Sequence, residues 1–159
     1  MKNNGGEIMN INAEIIPYVS LGGIQLYSSI KDIMLYEHAL KFEMYARHLI
    51  KYEIDSAIEI HINIINGKIY KLCAKNNYKG SFKGIIIGSN LTKLSCTLEN
   101  LIYDDFEEIF ILDGVIIETV LKKNEQTNKF EDIVTSLSIY VKELDCDIDK
   151  IESIENGQW

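Results

Sequence analysis

The stretch AIEIHINIINGKIYKLCAK, residues 57–75, contains two apolar runs separated by Asn66 and Gly67. Isoleucines alternate with polar residues before Asn66, which predicts a strand with an isoleucine face and a face that carries His61 and Asn63. Both turn residues tolerate the positive backbone angles of a two-residue type I′ turn. The stretch therefore predicts an antiparallel β-hairpin whose polar face is partly exposed.

A second stretch, EEIFILDGVIIETVL at residues 107–121, has the same form, with Asp113 and Gly114 at its turn. Alternation also favours strands near MYARHLIKYEI, residues 44–54, and LSIYVKEL, residues 137–144. The polar stretch KKNEQTNKFED, residues 122–132, predicts a long loop. Most of the chain is thus predicted to be strands joined by turns.

The chain contains an internal repeat, with GGIQLYSSIKDI at residues 22–33 and KGIIIGSNLTKL at residues 83–94, offset by 61 residues. In each copy a glycine precedes a short apolar run, and a serine then precedes apolar residues at helical spacing, which predicts strand, turn and helix. One face of the second helix is predicted to carry Leu91, Leu94, Leu98 and Leu101.

Together these elements predict an α+β fold of tandem β-α-β-β-β units, which form a mainly antiparallel sheet with the helices packed on one face. We expect one domain made of two repeat units, at about residues 16–80 and 81–144. Residues 1–12 are expected to be flexible, and residues 145–159 to form an acidic tail.

Motifs for catalysis or cofactor binding are absent from the sequence. It has no GxxxxGK or GxGxxG loop, and IGSNL at residues 87–91 resembles a GxSxG nucleophile elbow only superficially, since Ser89 is better explained as a helix cap. We therefore predict no catalytic residue, no cofactor and no enzyme.

Metal ligands and disulfides are not predicted either. The three histidines, His38, His48 and His61, form no HxxxH or HExxH pattern, and a surface or structural role is expected for each. The three cysteines, Cys73, Cys96 and Cys146, have spacings that suit neither a disulfide framework nor a CxxC site, so reduced and mostly buried thiols are expected.

Charge is distributed unevenly along the chain. Residues 60–98 contain six lysines and no acid, and Tyr70, Tyr78 and Phe82 lie among those lysines, a pattern that would suit nucleic acid. The net charge of -8 repels a polyanion, however. We therefore predict no nucleic-acid binding and interpret the lysines as a solvated strand edge that resists aggregation.

The sign of the charge reverses in residues 94–121, which hold seven acids and no Lys, Arg or His. A calcium loop would need alternating ligands around a glycine, which YDDFEEIF at residues 103–110 lacks, so no metal is predicted there. An acidic face with aromatic anchors suits a basic protein partner. The predicted partner-binding residues are Tyr103, Asp104, Asp105, Phe106, Glu107 and Glu108.

The sequence contains no run of the roughly 20 apolar residues that a transmembrane helix needs, and no signal-peptide pattern. A cytoplasmic protein without a membrane partner is expected. A monomer is favoured.

The pattern of KGIIIGSNLTKL, YDDFEEIFILDGVIIET and LSIYVKEL resembles that of small acidic immunity proteins from bacterial polymorphic-toxin and contact-dependent growth-inhibition systems, and it covers most of residues 16–144. The resemblance implies a non-catalytic cytosolic protein that binds the toxic C-terminal domain of a secreted effector, often a nuclease, and covers or distorts its active site. Such proteins share pattern more than motif, so the resemblance assigns no single functional residue.

We therefore predict an immunity protein that neutralises a cognate toxin domain. The alternative is a small ligand-binding or regulatory domain that uses a pocket between the sheet and the helices.

Overall fold

The computed structural model describes residues 9–33, 41–145 and 150–159, so His38 and Cys146 lie outside the described residues. In chain order the elements are β1 Ser20–Leu21, β2 Ile24–Gln25, α1 Ile30–Ile33, β3 Lys41–Ala46, β4 Leu49–Ile54, β5 Ile58–Asn63, β6 Ile69–Ala74, α2 Leu91–Leu94, β7 Ile102–Asp104, β8 Ile109–Leu112, β9 Val115–Lys123, β10 Phe130–Tyr140 and α3 Lys150–Glu155. Short 3₁₀ turns at Ser95–Thr97 and Lys142–Leu144 follow α2 and β10.

Eight of the described strands form one antiparallel sheet in the order β3-β4-β5-β6-β10-β9-β8-β7, and β1 and β2 form a separate small hairpin. The architecture is therefore a sheet-dominated α+β fold, as predicted. It consists of two four-stranded meanders that meet at β6 and β10. The strands do not follow the predicted β-α-β-β-β unit one for one, because α1 and α2 are each followed by four strands.

The predicted hairpin at residues 107–121 is confirmed. Its turn residues, Asp113 and Gly114, have φ of 45° and 83°, and Leu112 pairs with Val115 across a two-residue turn. Positive φ at both positions is what a type I′ turn requires.

The hairpin at residues 57–75 is also confirmed, but its predicted two-residue turn is wrong. The Asn63 amide donates to the Lys68 carbonyl at 3.1 Å, which leaves a four-residue loop, and Gly67 rather than Asn66 has a positive φ, at 70°. The pairing then shifts by one residue, since Ile62 pairs with Ile69 whereas His61 pairs with Lys71. Tyr70 is the extra residue of this β-bulge.

Three further expectations need correction. The predicted strand near residues 44–54 is a complete hairpin, β3 and β4. The predicted loop at residues 122–132 is shorter than expected, because both of its ends belong to strands and only residues 124–129 lie between β9 and β10. The second helix ends at Leu94, so Leu98 and Leu101 do not continue its face, although both still pack against the core.

One face of the sheet forms the hydrophobic core. Ile58, Ile60 and Ile62 are fully buried there, and the small hairpin β1–β2 and helix α2 contribute Leu21 and Leu91 to the same core. Each such side chain contributes about 1.5–3 kcal/mol when it is fully buried. The alternating pattern predicted that Ile64 would lie on this core face as well. It lies instead in the loop between β5 and β6 and is 44% exposed.

A buried tyrosine ties the N-terminal segment to this core. Tyr78 accepts a hydrogen bond from the Gly22 amide at 3.0 Å and donates one to the Ala13 carbonyl at 2.6 Å. Residues 9–12 are described and bonded as well, since the Asn10 amide donates to the Gly22 carbonyl at 2.8 Å. Residues 1–8 of the segment predicted to be flexible lie outside the described residues.

The opposite, polar face of the sheet is covered rather than open near His61 and Asn63, which are 8% and 0% exposed. Helix α3 lies over this region, with Ile154 only 3% exposed. The Asn63 side chain donates to the carbonyls of Ile154 and Glu155 and accepts from the Ile65 amide. The described part of the predicted acidic tail is therefore packed against the sheet.

Among the described residues, no helix combines the length and the apolar character needed to cross a lipid bilayer.

Candidate functional site

Three side chains with different donor atoms meet on the polar face of β5 and β6. Glu59 and His61 are two residues apart on β5, and Cys73 of β6 pairs directly with Glu59. The His61 Nε2 atom lies 2.7 Å from the Glu59 Oε1 atom and 3.6 Å from the Cys73 Sγ atom. The Glu59 side chain is 13% exposed, and Cys73 is 2% exposed, so this cluster is nearly closed to solvent.

Each member of this Glu59–His61–Cys73 cluster has a second polar partner. The Tyr45 hydroxyl lies 3.1 Å from His61 Nδ1, and the Ser138 hydroxyl donates to Cys73 Sγ at 3.1 Å. The other carboxylate oxygen of Glu59, Oε2, lies 3.8 Å from the Lys51 ammonium nitrogen. These partners come from strands β3, β4 and β10, so the sheet as a whole positions the cluster.

The three groups shift one another's pKa values. The hydrogen bond from His61 lowers the pKa of Glu59 to about 2. Burial lowers the pKa of His61, but its hydrogen bonds to Cys73 and Glu59 outweigh that effect and leave the pKa raised. Burial raises the pKa of the Cys73 thiol, yet its hydrogen bond with His61 and the nearby Lys71 charge outweigh it, and the pKa is lowered. The protonation of Glu59 and of Cys73 is therefore coupled to that of His61.

This geometry does not match a cysteine nucleophile with a histidine base. In such a site the thiol and the orienting acid contact opposite nitrogens of the imidazole. Here Glu59 and Cys73 both contact Nε2 of His61, and Nδ1 faces Tyr45. Three donor atoms that lie within 4.8 Å of one another instead match a set that could hold a metal ion.

A pocket of about 670 Å³ opens on the same polar face of the sheet. Tyr45 and His61 of the cluster line it, and Tyr70, Tyr140, Lys71 and Asp145 are among its other lining residues. Asp145 accepts hydrogen bonds from Tyr18 and Tyr140, at 2.7 and 3.0 Å. The described part of the lining thus combines aromatic walls with the Lys71 ammonium group and the Asp145 carboxylate.

The sequence-predicted partner-binding residues lie elsewhere, on the β7–β8 hairpin at one edge of the sheet. Tyr103 on β7 is 53% exposed, and Phe106 in the turn is 88% exposed. Asp105, Glu107 and Glu108 are also exposed in this turn. Asp104 differs from them, because its Oδ1 accepts from the backbone amides of Phe106 and Glu107, at 3.0 and 3.2 Å. Asp104 therefore shapes the turn.

The aromatic residues that lie among the lysines are buried. Tyr70, Tyr78 and Phe82 are 6%, 2% and 4% exposed. Their ring faces are therefore not presented to solvent, as stacking on nucleotide bases would require.

Sequence reasoning missed the Glu59–His61–Cys73 cluster. The predicted two-residue turn would pair Cys73 with Ile60 and place the thiol on the core face. A one-residue change of register moves every side chain of a strand to the other face. The bulge at Tyr70 makes that change, and the four-residue loop that precedes it has no clear sequence signal. Cys73 is buried as expected, whereas Cys96 is exposed.

Comparison of the chain with models of protein families, with curated proteins and with solved structures gives no match. The class that can be stated is a sheet-dominated α+β protein with a buried Glu–His–Cys cluster and an exposed acidic, aromatic hairpin.

Proposed function

We propose that this chain is a protein-binding module that acts in the cytosol as the immunity protein of a bacterial toxin, and that its β7–β8 hairpin docks on a basic surface of the toxin domain. The observation that carries the proposal is Phe106, a large aromatic side chain left 88% exposed in a turn between acidic residues. An apolar ring in that position gains most when a partner covers it.

The surroundings of Phe106 support the same reading. Tyr103 and Ile102 of β7 are 53% and 61% exposed, so both faces of the edge strand that leads to Phe106 present apolar side chains. The flanking carboxylates of Asp105 and Glu107 would form the charged rim around these anchors. An aromatic centre with a polar rim is the usual composition of a protein-binding hot spot.

Charge indicates the chemistry of the partner. The segment from residue 94 to residue 121 contains no basic side chain, and the whole chain carries -8. Complementary fields of this kind speed association with a basic protein. A toxin domain that binds nucleic acid presents such a basic surface, and carboxylates can occupy it in place of phosphates. A specific complex would cover about 800 Å² on each partner.

The binding experiment uses the purified chain and the purified toxin domain encoded directly upstream of its gene. Wild type should bind with an association rate that falls as salt rises. Phe106→Ala should speed dissociation, and Asp105→Lys with Glu107→Lys should slow association. Asp104 is left intact because it holds the turn.

The matched controls are Phe130→Ala and Glu125→Lys, which change exposed residues at the β9–β10 turn and should alter neither rate. Equal binding by all variants would remove the hairpin from the interface.

The internal repeat of the sequence supports the further proposal that the two meanders arose by duplication of one unit. Leu21 pairs with Ile24, and Phe82 pairs with Ile85 at the same offset of 61 residues. Helices α1 and α2 begin 61 residues apart as well. Backbone angles repeat too, with positive φ at Gly22, Gly23 and Tyr27 and at Lys83, Gly84 and Gly88. The unit that repeats is a tight turn, a short helix and four strands.

A second function is favoured by the pocket on the polar face. Its aromatic walls and the Lys71 ammonium would suit a planar organic anion. Native mass spectrometry of the purified full chain would show such a ligand as added mass that disappears on denaturation. In Lys71→Gln the added mass should be reduced, and in the surface control Lys68→Gln it should be unchanged. Wild-type protein that carries no added mass, and whose melting temperature no planar anion raises, would count against this function.

A further inference from the structure

We propose that Glu59, His61 and Cys73 form a binding site for a divalent transition metal ion of the zinc type, with Glu59 Oε1, His61 Nε2 and Cys73 Sγ as its ligands. The site is separate from the β7–β8 hairpin and does not depend on the function proposed above. It would join β5 to β6 at the centre of the sheet.

The three donor atoms lie within 4.8 Å of one another, so side-chain shifts of about an ångström would bring them to the spacing around a tetrahedral ion. Ligand atoms around tetrahedral zinc lie about 3.2–3.7 Å apart when the metal–ligand bonds are about 2.0–2.3 Å. The 3.6 Å between His61 Nε2 and Cys73 Sγ is within that range. The 2.7 Å between His61 Nε2 and Glu59 Oε1 is a hydrogen-bond distance, and it would lengthen by about half an ångström when a metal replaces the shared proton.

The polar groups that contact the three proposed ligands are the strongest support. Histidines that bind metals almost always use the other ring nitrogen in a hydrogen bond, which fixes the ring. His61 has Tyr45 at Nδ1, Cys73 has the Ser138 hydroxyl, and Glu59 has Lys51 at its other oxygen. Each proposed ligand thus has a polar neighbour that helps to hold its side chain in place.

Charge also balances. A thiolate, a carboxylate and a neutral imidazole supply two negative charges, which match a divalent cation. The ion requires Cys73 as a thiolate and His61 Nε2 without a proton, so any proton that either atom carries in the metal-free protein is released to solvent as the three metal–ligand bonds form. A set of one sulfur, one nitrogen and one oxygen suits zinc or cobalt rather than magnesium or calcium, which prefer oxygen alone.

The site is also better arranged for a metal than for thiol chemistry. Cys73 is 2% exposed, which hinders attack on a substrate in solution. Three protein ligands leave a fourth tetrahedral position for water or another small ligand. His61 and its partner Tyr45 both line the large pocket, so that face of the cluster is nearest to solvent.

The test uses the full chain with Cys96→Ser and Cys146→Ser, so that Cys73 is the only thiol, after metal has been removed with a chelator. Cobalt(II) is added while the absorption spectrum is recorded. The expected result is one equivalent of binding, with a thiolate-to-cobalt charge-transfer band and the visible bands of a tetrahedral ion. Zinc should abolish these bands by displacing cobalt.

Variants localise the ligands. Cys73→Ser should lose the charge-transfer band, and Glu59→Gln should weaken binding while leaving its thiolate band visible at saturation. Tyr45→Phe keeps all three ligands and should weaken binding by about 10–100-fold. His48→Asn is the control, because His48 lies outside the cluster and asparagine accepts its φ of 62°. It should bind as the parent does.

The parent protein, with Cys96→Ser and Cys146→Ser, is sufficient to overturn the proposal. Absence of a charge-transfer band at saturating cobalt, with circular dichroism showing a folded protein, would contradict it. Equal cobalt affinity in the parent and in Cys73→Ser would contradict it as well. Melting provides a second measurement, since zinc should raise the melting temperature of the parent but not that of Cys73→Ser.

Discussion

The Cys73 Sγ atom lies 3.6 Å from the His61 Nε2 atom, although the two residues are on different strands and 12 positions apart. The bulge at Tyr70 accounts for this contact, because it turns Cys73 toward the face that carries His61. The thiol is close to a base and buried at the same time. Proximity to His61 favours its thiolate, whereas burial restricts its access to reagents.

The two described cysteines should therefore differ in alkylation rate. Cys96 is exposed and should react readily with iodoacetamide. Cys73 is buried and should react only through transient unfolding, at a rate lower by a factor of about 10³ or more. Peptide mapping by mass spectrometry of native, metal-free protein at increasing times measures both rates. Comparable rates in the native state would contradict the burial of Cys73, and denaturant should remove the difference.

Two isoleucines of the β5–β6 hairpin, Ile60 and Ile64, should differ sharply in their contribution to stability. Ile60 is fully buried, so Ile60→Ala should lower the free energy of unfolding by about 2–5 kcal/mol. Ile64 is 44% exposed in the loop, and Ile64→Ala should change it by less than about 1 kcal/mol. Urea denaturation followed by circular dichroism gives both values. A large loss for Ile64→Ala would mean that the alternation continues to that residue and that the loop begins later.

The turn glycine Gly114 should be more sensitive than Gly84, although both have positive φ, 83° and 79°. Alanine at either position incurs about 1–2 kcal/mol of backbone strain. At Gly114 the added Cβ would also overlap the Tyr18 ring, whereas at Gly84 it would meet no atom within 4 Å. Thermal melts should show Gly114→Ala to be clearly less stable than Gly84→Ala. Equal losses would indicate that the Tyr18 ring moves aside freely.

Tyr140 should make the fold sensitive to alkaline pH. Burial, together with the hydrogen bond to Asp145, raises the pKa of Tyr140 above its usual value of 10.0. The neutral phenol is thus favoured in the folded state, and its stabilising contribution is complete below pH 10 and is lost as the pH rises above it. Tyr140→Phe should reduce the decline in stability between pH 9 and pH 11.5.

The control for this experiment is Tyr103→Phe, which changes an exposed tyrosine on β7. It should leave the pH dependence unchanged. If Tyr140→Phe declined as steeply as wild type, the alkaline sensitivity would have to come from other groups.

Sequence predicts best the turns whose shape depends only on the backbone preferences of two adjacent residues. Asp113 and Gly114 specify a type I′ turn directly, because both adopt positive φ readily. Asn66 and Gly67 have the same chemistry, but the Asn63 side chain accepts from the Ile65 amide and stabilises a longer loop. The choice between the two turns depends on that side chain, which periodicity does not reveal.

The candidate sites differ in the same way. The β7–β8 hairpin residues are adjacent in sequence, so charge and aromatic content were sufficient to select them. The Glu59–His61–Cys73 cluster requires one particular register. The cover over the polar face also requires the last ten residues, where Ile154 is buried and the Trp159 ring makes an edge-to-face contact with Tyr70. Hydrophobic periodicity describes one helix or strand at a time, so it does not predict contacts between residues about 90 positions apart.

The most direct test of the proposed function is rescue of growth. Cells express the toxin domain encoded directly upstream, together with this chain, its Phe106→Ala, Asp105→Lys, Glu107→Lys variant, or the control Phe130→Ala. We predict that the wild type and the control restore growth and that the triple variant, at equal abundance, does not. Failure of the folded wild type to restore growth, or full rescue by the triple variant, would contradict neutralisation through the β7–β8 hairpin.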